Sequence, residues 1–181
     1  GKSMIAVSLC HAWGQICKKV VAVDIESVNA TLAVFKEFEG TCLDVLLQGE
    51  IDPRQFDTLI DKSMEQGTET YVIVDNGASS FLAVNCYIKE NGIIGILEES
   101  GHSVFFHSVI TGGQAIADTV LGLRSLALGF PETPIVVWLN PYLGEEARRG
   151  CYLKNLRGNR NFKRKYTAVY TPHKEKRQTT D

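Results

Sequence analysis

With 181 residues, 44% hydrophobic and 22% charged, the chain has ordinary globular composition and enough length for one well-buried α/β domain. No apolar stretch approaches the roughly 20 residues of a membrane span and no signal-peptide pattern opens the chain, so a cytoplasmic protein is expected. The net charge of −2 conceals a division: from 148 onward there are 11 Lys/Arg against two acids, a local charge of +9, whereas the preceding residues hold 8 and 19, a charge of −11.

The five cysteines, Cys10, Cys17, Cys42, Cys86 and Cys151, are scattered with no C-x-x-C pair. Neither a disulfide framework nor a zinc site is expected from them. His11, His102, His107 and His173 show no ligand spacing either, and read as satisfied structural histidines.

Taken in order, the chain opens on Gly1-Lys2-Ser3, the closing part of a phosphate loop of the form G-x-x-x-x-G-K-[ST]. In such a loop backbone amides cradle phosphates, the lysine reaches the β/γ-oxygens and the hydroxyl ligates Mg²⁺. A helix over 4–17 follows, with Ile5, Leu9, Ala12, Trp13 and Ile16 at helical spacing, so the lysine stands where unpaired amides and the macrodipole attract anions. Residues 19–24 are a β-branched run ending in Asp24, as in a buried parallel strand with a functional tip. A helical period through Leu32, Val34, Phe35 and Phe38 then stops at Gly40, and 41–47 is strand-like.

Pro53 opens a helix over 54–66, where Phe56, Leu59, Ile60 and Met64 recur at helical spacing. Residues 69–75 repeat the earlier device, an apolar strand delivering Asp75. A helix over 79–90 with Ser79 and Ser80 as N-cap candidates, and a short helix over 93–100 stopped by Gly101, come next. A strand over 104–110 turns through Thr111-Gly112-Gly113 into a helix over 114–128, and 135–139 is the last clear strand, ending in Asn140-Pro141. Alternating helices and strands with short loops predict an α/β fold, a mostly parallel sheet with helices on both faces. Two segments result: a domain over 1–144 and a basic tail over 145–181 expected to pack poorly.

Mg²⁺ bound at such a loop needs an oxygen opposite the serine, supplied by a neighbouring strand, and Asp75 answers that need. Alone, an acid after an apolar strand more simply caps a turn. Together with Gly1-Lys2-Ser3 ahead of a helix and a second acid-tipped strand at Asp24, the nucleotide reading moves ahead.

The arrangement resembles the ParA/MinD branch of P-loop ATPases, and within it TraL-type conjugal transfer proteins of bacterial plasmids. The resemblance is carried by residues 1–6, 28–31, 56–59, 74–81, 111–115 and 136–142, of which Asp-Asn-Gly-Ala-Ser-Ser-Phe (75–81) and Trp-Leu-Asn-Pro-Tyr (138–142) are the most specific. It implies a P-loop NTPase, with the first strand and the start of the phosphate loop ahead of Gly1, that binds ATP and Mg²⁺, dimerises when nucleotide-bound and contacts proteins of the conjugation machinery. By position, Gly1, Lys2, Ser3 and Met4 would form the phosphate contacts, with Lys2 also catalytic. Ser3 would ligate Mg²⁺, Asp75 would hold it through water, and Asn140 would contact adenine. Asp24 and Glu26 fall where the family has an Asp-x-Asp pair that orients the attacking water. Here the second member is glutamate, one methylene longer, a misplacement that can cost about a hundredfold. The family's second loop lysine would precede Gly1, and the tail after Gly144 departs from the family pattern.

The tail has two readings. Arg157, Arg160, Lys163, Arg164 and Lys165, interleaved with Phe162 and Tyr166, could bind nucleic acid through phosphates and stacking. The plainer reading, a segment that packs nowhere, is favoured because charge and apolar pattern change together near Gly144. Three functions follow: an ATP-hydrolysing switch of plasmid conjugative transfer, a nucleotide-dependent dimerisation adaptor that does not hydrolyse, and a ParA-type partition ATPase. The chain from Gly1 onward is expected to hold nucleotide weakly and to be inactive without the rest of the loop.

Overall fold

A computed structural model describes residues 1–16, 19–25, 31–67, 69–140 and 166–170. The chain divides into two units, Gly1–Val104 and Phe105–Asp181, so the break falls well ahead of the charge change near 144.

In the first unit β1 (Lys19–Asp24) is the central strand, flanked by β2 (Thr41–Cys42) and β5 (Thr70–Asp75). Both neighbours run parallel to it. The valines and alanine of β1 are buried on both faces, which is why its sequence is a continuous apolar run rather than an alternation. One face, Val20 and Ala22, packs against Ala6 and Cys10 of α1 (Lys2–Gly14) together with Leu32 and Phe38. The other, Val21, Val23 and Ile25, packs against Phe56, Leu59 and Ile60 of α2 (Pro53–Met64), Val84 of α3 (Phe81–Glu90) and Ile93 of α4 (Ile93–Glu99). Each of the buried valine, leucine, isoleucine and phenylalanine side chains contributes about 1.5–3 kcal/mol of transfer free energy. Helices therefore cover both faces of this sheet, as expected.

Local chemistry explains several boundaries. Asp52 accepts the Arg54 N–H at 3.0 Å and Pro53 occupies the first turn, so α2 starts where Pro53 implied. The strands β3 (Leu46–Leu47) and β4 (Glu50–Ile51) form an antiparallel hairpin. Its two turn residues, Gln48 and Gly49, have φ of 54° and 88°, the doubly positive turn that matches strand twist.

Three sequence expectations are corrected in this unit. The helix through Leu32 and Phe38 is instead two 3-10 turns, Leu32–Val34 and Lys36–Phe38. Its amides are drawn elsewhere, Ala33 donating to the Asp24 side chain. The strand over 41–47 is interrupted where the Asp44 carboxylate accepts the Leu46 N–H at 3.4 Å, a side-chain turn that competes with the ladder. Ser80 sits at the N-cap position of α3 without capping it; fully buried, it donates its hydroxyl to the Asn76 side chain.

The second unit holds β6 (Phe106–Thr111), β7 (Ile135–Asn140) and β8 (Tyr166–Tyr170), a parallel sheet in the order β6-β7-β8, with α5 (Ile116–Gly129) packed on β6. Within the basic segment Tyr166–Tyr170, whose Tyr-Thr-Ala-Val-Tyr sequence suits a strand, pairs with β7. The rest of 145–181 lies outside the described residues. His107 accepts the Trp138 indole N–H on Nδ1 at 2.9 Å, and desolvation pushes its pKa below the usual histidine range, the satisfied structural role expected of it. The described strands thus form two parallel sheets and a hairpin, where the sequence pattern predicted one sheet. Among the described residues no helix is long and apolar enough to cross a membrane.

Candidate functional site

The site is built at the carboxyl ends of β1 and β5. These strands pair in parallel with Asp24 opposite Asp75, so the acids at the two tips stand on adjacent strands, about 4.8 Å apart across the sheet. Pairing also fixes their face: Ile73 packs with Val20 and Ala22 on the side α1 covers, and the period of two puts Asp24 and Asp75 on that side as well. The start of α1 arrives at the same place. Ser3 and Lys2 both act on Asp75 there, each favouring its ionised form.

The electrostatics follow from this crowding. Asp75 is 8% exposed and its pKa is raised, chiefly by burial, with the like charge of Asp24 adding to the rise. Ser3 and Lys2 work against it. Two adjacent buried acids favour a cation between or beside them, since a nearby positive charge lowers the cost of keeping both ionised. Cys10, on the next inward turns of α1, is fully buried near both acids; desolvation first, then Asp24 and Asp75, push its thiol up to about 11. It is therefore a neutral packing group at physiological pH and not a nucleophile.

Asp24 is 2% exposed, and its Oδ2 accepts the Ala33 N–H at 2.9 Å. Its carbonyl oxygen accepts the Leu43 N–H at 2.8 Å, while the Asp75 carbonyl accepts the Ile25 N–H at 3.0 Å. The Ala33 contact escaped the sequence reading because a backbone donor leaves no residue-type signature.

Of the other predicted residues, Gly1 is the N-cap of α1, its carbonyl accepting the Ile5 N–H at 3.2 Å. Met4 is 69% exposed, so any part it has in anion binding comes from its first-turn amide and not its side chain. Glu26 lies outside the described residues. Asn140 ends β7 opposite Thr111 in the second unit. The structure thus brings together Lys2, Ser3, Asp24 and Asp75.

Among the described residues no group of three His, Cys, Asp or Glu side chains could hold a metal ion. Mg²⁺ keeps several waters and is held by one or two carboxylates plus substrate phosphates. The Ser3 hydroxyl and the Asp75 carboxylate, both hard oxygens, fit that ion. The first-turn amides of α1 and the Lys2 ammonium fit a polyphosphate.

No family model matches the chain, and no solved structure matches it. Two curated relatives do, each a Protein TraL of Escherichia coli: one is 37% identical and the other 35% identical, each over 170 residues that cover 93% of this chain and 70% of the relative.

Proposed function

The chain belongs to the TraL family, and from that premise we propose that it serves plasmid conjugal transfer as an ATP-binding and ATP-hydrolysing switch. The observation that carries the nucleotide part is that Ser3 and Lys2 at the start of α1 both act on Asp75, with Asp24 in register on the next strand. In this reading the first-turn amides and Lys2 bind the phosphates, and Ser3 and Asp75 hold Mg²⁺, directly and through water. The ion supplies charge neutralisation on the transferring phosphoryl group. An acid of the 24/26 pair orients the attacking water. The nucleotide state would govern homodimerisation and contacts with the conjugation machinery, as in the ParA/MinD branch that the motifs resemble.

A second reading has an observation of its own. Asp24 already spends one carboxylate oxygen on the Ala33 amide, which favours a nucleotide-dependent adaptor that binds ATP without turning it over. Phosphate release and calorimetric ATP·Mg²⁺ binding, measured on the protein together with whatever sequence precedes Gly1, separate the two. Steady release that Lys2→Ala and Asp75→Ala each reduce by about 100-fold or more supports the ATPase. Binding without release supports the adaptor, and absence of both removes the nucleotide reading.

A further inference from the structure

We propose that Asp24 is a positioning residue, a clamp that holds the 31–43 segment against the strand tips, and that its effect on turnover passes through the Ala33 amide. The inference rests on the ATPase reading for its turnover arm only. One residue secures the segment at two points: the Asp24 side chain takes the Ala33 N–H at 2.9 Å and its main-chain carbonyl takes the Leu43 N–H at 2.8 Å. Between these points the segment folds tightly on itself. A Cβ built on Gly40 would stand 2.4 Å from the Leu32 carbonyl oxygen and 3.1 Å from that of Phe35, so no larger residue fits without moving backbone.

The inner side of the segment is seated. Leu32 and Phe38 are buried against α1 and β1, and His11 meets the Phe35 and Phe38 rings edge-on at 5.9 and 4.9 Å. Its outer side is not: Val34 is 71% exposed. The segment presents an apolar tip outward, and the Asp24 carboxylate–Ala33 amide bond ties that tip to the strand end, while Glu39 further along pairs with Lys19 at 3.1 Å. A charged acceptor makes a carboxylate–amide bond worth about 1.5–3 kcal/mol.

Hydrogen exchange over 31–40, read beside phosphate release, tests this. Asp24→Ala should speed exchange of the segment by about tenfold or more. Asp24→Asn keeps an acceptor oxygen and should hold exchange near the wild-type rate. Ala33→Pro removes the donor while leaving the carboxylate intact, and Pro is tolerated there because Ala33 lies in the first turn of a 3-10 helix, where its N–H has no intrahelical partner. It should match Asp24→Ala in exchange and lose turnover to the same order, with the double variant no worse than either single. Exchange unchanged in Asp24→Ala overturns the clamp. So does Ala33→Pro with wild-type turnover while Asp24→Ala has lost it, since Asp24 would then act on the reactants directly. If the wild type releases no phosphate, the ATPase reading fails and the exchange comparison alone decides the clamp.

Discussion

Asp75 shows what a buried acid costs the fold. Its folded pKa is raised, so the folded state binds the proton more readily than the unfolded one. The stability this carries is full below the unfolded carboxylate value, about 3.9, and is lost as pH rises through the folded value. At neutral pH ionised Asp75 is therefore a net penalty. Asp75→Asn is expected to raise Tm at pH 7 in ligand-free protein and, under the nucleotide proposal, to weaken Mg²⁺ binding. Calorimetric melts across pH 4–7 check the sign: the gain over wild type should shrink as pH falls. An apolar run ending in aspartate was readable at both tips. That Asp24 spends itself on a backbone amide, and that Ser80 bonds Asn76 instead of capping its helix, was not, because side-chain partners several residues away leave no local pattern.

Elements were legible where their ends carry their own chemistry. For α2 the Asp52 cap, Pro53 and helical apolar spacing all agree, and Asp52→Ala should cost about 1 kcal/mol, read from urea denaturation. Segment 31–40 is the opposite case. Its apolar spacing resembles a helix, yet tertiary demands on Leu32, Ala33 and Phe38 break it into two 3-10 turns. Gly40 looked like a helix stop and is instead the point of closest backbone approach. Gly40→Ala is accordingly expected to destabilise by about 1–3 kcal/mol, a cost of overpacking that the same denaturation series would detect.

For the whole molecule, each unit has its own parallel sheet, and in the first the buried residues around Phe56 and Ile25 carry the stability on which the site depends. Phe56 is 2% exposed and packs against Tyr87, ring centroids 4.8 Å apart. Phe56→Ala should cost about 3–5 kcal/mol, measured as the shift in denaturation free energy, and should weaken any ligand binding at the Asp24–Asp75 tips as the first unit loosens. Within the basic segment, only the chain's return to pair with β7 shows that Tyr166–Tyr170 is a strand.

Taken by itself, the sequence determined what is local: an alternation of helices and strands, two strands ending in acids, and a helix that begins on lysine and serine, because periodicity and end residues act within a few positions of one another. Tertiary structure decided what depends on register: that Asp24 lies opposite Asp75, that Ser3 acts on Asp75, and that Asp24 holds Ala33. Strand pairing and loop closure join residues whose separation along the chain carries no signal of their contact, so only the folded molecule brings those groups together.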